Sequence, residues 1–251
     1  MILTVLGCSG SVPGPDGPCS GYLVEADGYR LVLDLGTGAL GTLLRHCGPG
    51  DVDAVVLSHL HGDHWADLPA LAYAQDRSGA LRSERTEVIA PAGALAAALG
   101  GDDSRRGYVP ARLRFRDAAN GRIRLGPFTV TLARVRHQVT AFGIRVEAAG
   151  RTLVYSGDTG PCHAILGLAA DADVLLCEAA LAGAGPGVPV PPSGTHLDAA
   201  QAAEIAASAG AGALVLTHLR PWADRAAALA EARAEYGGPI VLASPGLRMA
   251  V

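Results

Sequence analysis

Three histidines and two aspartates lie within HLHGDHWAD, residues 59–67, directly after a short apolar run. His59 and His61 are two positions apart at the end of a predicted strand, so both rings can converge on one ion. Asp63 and His64 follow at the turn into a helix expected to start near Asp67, where they can face a second ion. Imidazole nitrogen and carboxylate oxygen suit Zn²⁺ and its borderline neighbours. Neither ion is complete with these four donors, so more ligands are expected elsewhere.

Three further candidate ligands lie where apolar runs give way to loops. His137 follows FTVTLARVR, Asp158 follows RTLVYSG and His218 follows ALVLT. Strand ends of this kind are where α/β sheets present their sites. A single histidine in such a place is more often an ordinary core residue, but combined with H-x-H-x-D-H the set favours a metal site. His46 and His163 lack this context and are interpreted as surface or loop residues.

The elements that must position these side chains are short runs rich in Val, Leu and Ile, each of strand length and ending in Gly, Pro or polar residues. The predicted strands are 2–7, 21–26, 30–36, 54–59, 86–91, 128–135, 142–148, 151–158, 173–179, 213–218 and 239–244. The predicted helices are 68–77, 93–100, 196–210 and 222–238. The third has Asp198 near its start and Gly210 as a C-cap candidate. Two batches of strands, each followed by helices, predict a layered α/β sandwich with the helices outside.

The 251 residues, 49% of them hydrophobic, are enough for a sizeable core. We expect one domain over 1–251, with two halves of similar strand and helix content, approximately 1–125 and 126–251. Two irregular stretches interrupt the pattern, the loop 8–21 and the Gly- and Pro-rich loop 181–195. Loops this long in a compact domain are often functional.

The net charge of −4 argues against a nucleic-acid-binding module, because there is no overall basic field. The arginines that cluster between Arg105 and Arg136 form either a solvated face or a rim that meets a phosphate-bearing substrate. The five cysteines contain no C-x-x-C pair and indicate reduced thiols. MILTVLGCSG is expected to form a first strand rather than a signal peptide, and no apolar stretch has the length of a membrane span. These features predict a cytoplasmic protein that does not enter the membrane.

The series HLHGDH (59–64), His137, Asp158 and His218 resembles the ligand set of the metallo-β-lactamase superfamily. The resemblance covers essentially the whole chain and implies a four-layer αββα sandwich with a two-metal site at one edge of its sheets. It implies one metal on His59, His61 and His137, a second on Asp63, His64 and His218, and Asp158 as a bridge. Asp34, in LVLDLG, matches an early aspartate of the family that supports the histidine loop.

The segment THLDAAQAAEIAASAGAGALVLTHLRPW (195–222) resembles the tRNase Z-like phosphodiesterase branch. His196 matches a histidine that, in that branch, meets a phosphate oxygen or protonates the leaving alcohol; a helix-cap role is the alternative. LGCSGSVPGPDGPCSGYLVE, YSGDTG and LTHLRPW more closely resemble small bacterial members described as atypical cyclic-nucleotide phosphodiesterases. A homodimer would be in keeping with this family.

Two departures from the family pattern bear on the substrate. In tRNase Z a long tRNA-gripping arm lies between the positions of His137 and Asp158, but here one hairpin's length separates them. The sequence therefore argues against tRNA and for a small, phosphate-bearing substrate. In RHQVTAFG (136–143), Gln138 and Ala141 replace a Pro and a Ser found in many relatives, which bears on substrate identity rather than on metal binding.

The resemblance therefore predicts a binuclear hydrolase in which a hydroxide bridging two Zn²⁺ ions attacks phosphorus in line. Mn²⁺ and Fe²⁺ are alternatives at such a site. Asp63 would orient or deprotonate the water, and His196 would stabilise the transition state or protonate the leaving oxygen. An ester, thioester or lactone hydrolase, or a specialised biosynthetic enzyme, could use the same site. A non-catalytic metal-binding protein is disfavoured by the complete ligand series.

Overall fold

The computed structural model describes residues 1–15, 17–79, 84–183 and 194–251. Most of the loop 181–195, namely residues 184–193, lies outside the described residues. Within the described ranges the chain forms two sheets with helices on their outer faces.

The first sheet carries Asp34 and leads into the HLHGDH segment. Its strands in the described ranges are β1 (Ile2–Gly7), β2 (Gly21–Ala26), β3 (Tyr29–Leu35), β4 (Ala54–Val56), β5 (Thr86–Ala90), β6 (Leu113–Asp117) and β14 (Arg248–Ala250). The spatial order is β14-β1-β2-β3-β4-β5-β6, and β3 to β6 run parallel. Because the carboxyl ends of parallel neighbours share one edge, β3 delivers Asp34 to the same edge from which β4 leads to His59.

The second sheet positions the remaining candidate ligands. Its strands in the described part of the chain are β7 (Gly121–Leu125), β8 (Phe128–Arg134), β9 (Phe142–Ala148), β10 (Arg151–Tyr155), β11 (Val174–Glu178), β12 (Leu214–Thr217) and β13 (Ile240–Leu242). They lie in the order β13-β12-β11-β10-β9-β8-β7, with β10 to β13 parallel. The ends of β10 and β12 therefore lead to Asp158 and His218 at one edge.

Residues that alternate along the strands enter different layers. Leu31 and Leu33 of β3 belong to the core between the two sheets, whereas Val32, which lies between them in the strand, packs under the outer helices. Strands with two buried faces appear in the sequence as continuous apolar runs, which is what the sequence contains here. The αββα sandwich predicted from the sequence is confirmed.

The helices cover the two outer faces. Those described on the first sheet are α1 (Ala39–Leu43), α2 (Gly62–Trp65), α3 (Leu68–Arg77), α4 (Ala94–Leu99) and α5 (Arg105–Arg112). Those described on the second are α6 (His163–Ala169), α7 (Ala199–Ala209) and α8 (Arg225–Glu235). None of the helices in the described ranges has the length and apolar character needed to span a membrane.

The predicted elements match the observed ones closely, with differences mainly at their ends. The helix expected over 196–210 begins at Ala199: Asp198 caps it by accepting from the backbone N–H of Gln201, and Gly210 ends it at φ +67°. Asp63 and His64 lie in their own short helix, α2, rather than in a turn. The short strands β6, β7 and β14 and the helices α1, α5 and α6 were not predicted.

The arginine-rich segment from Arg105 to Arg136 forms α5 and the strands β6 to β8. Arg112 and Arg114 pair with Asp76 and Glu87 on neighbouring elements. The strand β7, from the first half of the sequence, pairs with β8 in the second sheet, and β14 pairs with β1 in the first. One domain over 1–251 stays a prediction.

Candidate metal centre

Three histidine nitrogens meet at the first half of the site. His59 follows the end of β4, His61 is the residue before α2, and His137 follows β8. His61 Nδ1 lies 3.0 Å from His59 Nε2 and 3.2 Å from His137 Nε2. Two nitrogens bound to one tetrahedral Zn²⁺, each at about 2.0–2.1 Å, are roughly 3.3 Å apart. The three rings are therefore spaced as ligands of a single ion.

A second group of donors lies beside the first. His64 Nε2 and His218 Nε2 are 3.1 Å apart, and Asp63 Oδ2 lies 3.1 Å from His218 Nε2 and 3.4 Å from His64 Nε2. Asp63 and His64 come from α2, whereas His218 follows β12 of the other sheet. The second group therefore joins the two sheets across their common edge.

Asp158 lies between the two groups, with one oxygen toward each. Its Oδ2 is 3.7 Å from His59 Nε2 and 4.0 Å from His137 Nε2. Its Oδ1 is 3.3 Å from His64 Nε2 and 3.5 Å from His218 Nε2. Oδ1 is buried and has no hydrogen-bond partner among the described residues. A buried carboxylate oxygen without a donor fits a metal ligand, because it is costly to leave such an atom unpaired.

The Asp34 carboxylate sets the orientation of the histidine loop. Its Oδ1 accepts the backbone N–H of Ser58, and its Oδ2 accepts His64 Nδ1–H, Ser58 Oγ–H and Tyr155 O–H, each at 2.7 Å. Because a carboxylate only accepts, the His64 proton lies on Nδ1 and the lone pair of Nε2 faces the metal position. Asp34 therefore fixes the orientation of the His64 ring and of the backbone at Ser58.

The other rings are oriented in the same way. Ser58 Oγ donates to Asp34, so it accepts from His59 Nδ1 at 3.0 Å. His137 Nδ1 donates to the carbonyl oxygen of Thr195 at 2.9 Å. Both rings therefore present an unprotonated Nε2 to the first group, as a metal ligand requires.

The charges of the site favour cations. Burial alone would raise the pKa of Asp158, but the rings of His218, His64 and His59 outweigh it and hold that pKa well below its ordinary value. Burial alone would lower the pKa of His64, yet the carboxylates of Asp158 and Asp34 raise it well above its ordinary value. The pKa of the third carboxylate, Asp63, is also lowered, because the neighbouring rings of His218 and His64 outweigh the effect of its burial. Divalent cations between the two groups would balance this buried negative charge, so the donor set fits them.

His196 lies next to the Asp158 carboxylate, and Glu178 holds it there. His196 Nδ1 is 3.9 Å from Asp158 Oδ2 and donates to Glu178 Oε1 at 2.9 Å. Glu178 is fully buried at the end of β11 and also accepts the backbone N–H groups of Thr159 and Ala180. Burial opposes protonation of the His196 ring, but Glu178 outweighs it, and the pKa of His196 lies above its ordinary value.

Glu178 was not predicted from the sequence. It stands in the run DVLLCEA, 173–179, whose end reaches the same sheet edge as Asp158 and His218. Its place at a strand end on that edge was the available signal. A single acidic residue in such a place does not stand out without its partner.

The loop after β1 closes the second half of the site. The backbone N–H of Ser11 donates to Asp63 Oδ2 at 2.8 Å, and that of Gly10 donates to Leu219 O at 3.0 Å. A Cβ at Gly10 would lie 2.4 Å from the carbonyl oxygen of His218, so only glycine allows this approach. Asp34 and His218 have φ of +55° and +56°, a strained conformation for residues other than glycine that is typical of functional sites.

The structure thus brings together all the candidate ligands. Those within 4.8 Å of one another fall into the groups His59, His61, His137, Asp158; Asp63, His64, His218; and Asp158, His196, His218. His46 and His163 are exposed and lie outside these groups. The metal and catalytic roles given to individual residues stay predictions.

Comparison with known proteins agrees with this geometry. A model of the beta-lactamase superfamily domain matches residues 16–219. The chain is 39% identical to the uncharacterized protein Rv1339 of Mycobacterium tuberculosis, over 95% of this chain and 88% of that protein. It is 32% identical to the ribonuclease Z of Thermobifida fusca, over 99% of this chain and 94% of that protein.

A solved structure is similar over nearly the whole chain. The crystal structure of the metallo-beta-lactamase fold protein YhfI from Bacillus subtilis superposes with a TM-score of 0.86 at 27% identity, covering 99% of this chain and 98% of that one. The curated name of YhfI is probable metallo-hydrolase. The chain therefore belongs to the beta-lactamase superfamily, on its ribonuclease Z-like branch, and is a metallo-hydrolase of that fold.

Proposed function

We propose that the protein is a binuclear metal-dependent phosphodiesterase acting on a small phosphodiester of the nucleotide type. The observation that carries the proposal is Asp158, whose two oxygens face two separate groups of donors while His196 stands beside one of them. The Thermobifida relative is named a ribonuclease, an enzyme class that cleaves phosphodiester bonds. Two metals flanking one carboxylate suit an in-line displacement at phosphorus.

The metals would be held by the two groups of donors. His59, His61 and His137 would hold one cation, Asp63, His64 and His218 would hold the other, and Asp158 would bridge them. A donor set of imidazole nitrogens and carboxylate oxygens favours Zn²⁺, with Mn²⁺ and Fe²⁺ as alternatives. When bound, the two cations lower the pKa of a water and neutralise charge that develops on the phosphoryl oxygens.

Asp63, Glu178 and His196 would orient the water and transfer the proton. Asp63 would hold its cation through Oδ2, the oxygen that faces His64 and His218, and Oδ1 would orient the attacking water. Glu178 holds the proton on His196 Nδ1, so that Nε2 of the imidazolium can protonate the leaving alcohol oxygen. The same ring places a positive charge beside the phosphoryl oxygens as their charge grows.

The substrate we propose is a small molecule rather than tRNA. The segment between His137 and Asp158 is a single hairpin of β9 and β10, and every residue in it is described. The hairpin is too short to form an arm that could bind the body of a tRNA at a distance from the site.

The test is a substrate panel with metal-free and zinc-reloaded protein. The panel holds bis(p-nitrophenyl) phosphate, 2′,3′- and 3′,5′-cyclic nucleotides, p-nitrophenyl acetate and a lactone. We expect zinc-dependent hydrolysis of the phosphodiesters. Turnover of the acetate or the lactone alone would replace the proposal with a carboxylic ester hydrolase, and turnover of none would indicate a metal-binding protein without catalysis. Full activity of the metal-free protein would overturn the two-metal scheme.

A further inference from the structure

A cavity of about 200 Å³ lies beside the metal centre, between the loop after β1 and the segment after His218. Ser9 and Leu219, which line it, are joined by a β-bridge, and Leu219 directly follows the candidate ligand His218. Ser11, two residues beyond Ser9, donates to Asp63. The same two segments therefore form both the metal centre and a wall of the cavity.

The walls of the cavity are rigid and largely apolar. Pro15, Pro18, Pro221 and Pro245 line it together with Leu219. The loop is pressed against two of these rings: a Cβ at Gly14 would lie 3.1 Å from Pro221 Cβ, and one at Gly17 would lie 2.4 Å from Pro245 Cγ. The backbones of Gly14 and Gly17 also exchange hydrogen bonds that close the loop on itself. These contacts hold the loop against Pro221 and Pro245 on the other side of the cavity.

The charged side chains among the described lining residues are two arginines, Arg220 and Arg225. Arg225 Nη2 donates to Ala243 O at 2.8 Å, and this carbonyl also accepts from Cys8 Sγ at 3.4 Å inside the cavity wall. One bond therefore orients a guanidinium that carries five N–H donors in all. Arg220 directly follows Leu219, two residues after the candidate ligand His218, so the chain that carries this ligand continues into the cavity wall.

The shape and chemistry of the cavity limit what can occupy it. Its volume is below the roughly 300–1,000 Å³ of pockets that hold a whole drug-sized ligand, so it suits one ring of a larger molecule. Proline and leucine side chains pack on the faces of a planar ring, whereas a guanidinium donates to oxygen and nitrogen acceptors on its edge. A second phosphate could accept from a guanidinium group but would not pack against the apolar walls.

We propose that this cavity is the base-binding subsite of the enzyme: the heterocyclic base of a nucleotide packs between the proline side chains and Leu219, and Arg225 donates to its edge. The inference rests on the proposed function, since it locates the base of a nucleotide whose phosphate lies at the metal centre. It also makes the base, and not only the phosphodiester bond, a determinant of recognition.

The test compares ligands that differ only in the base. Calorimetry with the zinc-loaded protein gives the Kd of AMP, GMP, CMP and UMP and that of ribose 5-phosphate, which has the same sugar and phosphate without a base. We expect at least one nucleotide to bind about tenfold or more tightly than ribose 5-phosphate, the size expected when a base packs in a pocket. We compare the ratio of the Kd of ribose 5-phosphate to that of the nucleotide. A change at the metal centre affects the phosphate of both ligands alike and therefore leaves this ratio unchanged.

Two variants alter the cavity in different ways. Ala223→Leu adds side-chain volume at its lining, and Arg225→Gln removes the guanidinium. In both we expect the ratio to fall towards one. Arg233→Gln, an exposed position two turns further along α8, is the matched control and should keep the wild-type ratio. If thermal melting shows that Ala223→Leu does not fold, the ratio of Kd values measured with Arg225→Gln decides the test.

A wild-type ratio near one for all four nucleotides would overturn the inference. The inference would also be wrong if both variants kept the wild-type ratio of Kd values, because the base would then bind elsewhere. Neither result touches the proposed function, which is decided separately by zinc-dependent hydrolysis of bis(p-nitrophenyl) phosphate. Conversely, failure of that hydrolysis contradicts the proposed function whatever the binding ratio.

Discussion

His196 Nδ1 lies 2.9 Å from Glu178 Oε1, and this contact joins a half-buried ring beside the metal position to a carboxylate that is fully buried. Glu178 cannot turn away, because its oxygens also accept the backbone N–H groups of Thr159 and Ala180. The imidazole is therefore held in one orientation, with its Nδ1 proton directed at Glu178.

If His196 protonates the leaving group, its loss should depend on which group leaves. We expect His196→Ala to lower kcat for a cyclic nucleotide by about 10²–10⁴-fold, the usual contribution of a general acid. The loss should be much smaller for bis(p-nitrophenyl) phosphate, because p-nitrophenolate leaves without a proton. The zinc content should remain that of the wild type, measured by elemental analysis.

The control for this variant is His163→Ala, at an exposed position on α6. It should change neither substrate's turnover. Equal losses of His196→Ala on the two substrates would remove the general-acid role. Loss of zinc together with activity would instead indicate that His196 is a metal ligand. Its Nδ1 lies 3.9 Å from Asp158 Oδ2, close enough to the metal centre for that role.

Glu178 should act through His196 and not independently. We expect Glu178→Gln to lower kcat for the cyclic nucleotide by about 10–100-fold, since partners of this kind orient a catalytic ring. In the His196→Ala background the same change should add no further loss, as the two residues would form one unit. Glu204→Gln, exposed on α7, is the matched control. Additive losses in the double variant would contradict the coupling.

His137, Asp158 and His218 were predicted as candidate ligands because each follows an apolar run, where its residue type is out of place. The spacing of the same runs predicted a layered α/β sandwich, whereas the four-layer αββα arrangement was predicted from the family resemblance. Tyr155 and Glu178 were not found, because a tyrosine or a single glutamate at a strand end is unremarkable until its tertiary partner is known. The edge strands β6 and β7 were missed because arginines alternate with their few apolar residues, so little hydrophobic signal remains.

Tyr155 is expected to set the metal affinity from the second sheet. Its hydroxyl donates to Asp34 Oδ2 at 2.7 Å, and this oxygen also accepts His64 Nδ1–H. Tyr155→Phe should weaken zinc binding by about 10–100-fold, as loss of such supporting contacts usually does. The measurement is competition with a chromophoric chelator, which reads affinity without turnover.

Tyr22→Phe is a close control for this change. The Tyr22 ring is also fully buried, 4.9 Å from that of Tyr155, but its hydroxyl bonds to Thr217 instead of Asp34. Both variants lose one buried hydroxyl, so both should lower thermal stability by a similar amount. Only Tyr155→Phe should release zinc. Equal zinc affinities in the two variants would show that the Tyr155 contact is purely structural.

Removing the metals should destabilise the whole protein. Without a cation, Asp158 Oδ1 and His218 Nδ1 are buried with no partner among the described residues, and the carboxylates of Asp34, Asp63 and Asp158 crowd one edge. A ligand present at 100 times its Kd stabilises the folded state by about 2.7 kcal/mol per site. We expect the Tm to fall on treatment with a chelator and to recover with Zn²⁺. The zinc content of His61→Ala should be lower than that of the wild type, and a Tm insensitive to zinc would contradict the site.

Gly36 lies directly against α2, the helix that carries the candidate ligands Asp63 and His64. A Cβ at Gly36 would lie 1.8 Å from the backbone carbonyl oxygen of Asp63, whereas a Cβ at Gly62 would meet no heavy atom within 4 Å. Gly36→Ala must therefore push α2 away from the end of β3, and a backbone atom cannot move aside as a side chain could. We expect a loss of stability of about 1–3 kcal/mol, typical of overpacking, together with weaker zinc binding, because Asp63 and His64 move with α2.

Gly62→Ala adds the same methyl group one residue before Asp63, in a helix where alanine is favoured over glycine, and should keep both properties. Chemical denaturation and zinc titration of the two variants decide the matter: if Gly36→Ala binds zinc as Gly62→Ala does, the close contact between β3 and α2 does not position the ligands.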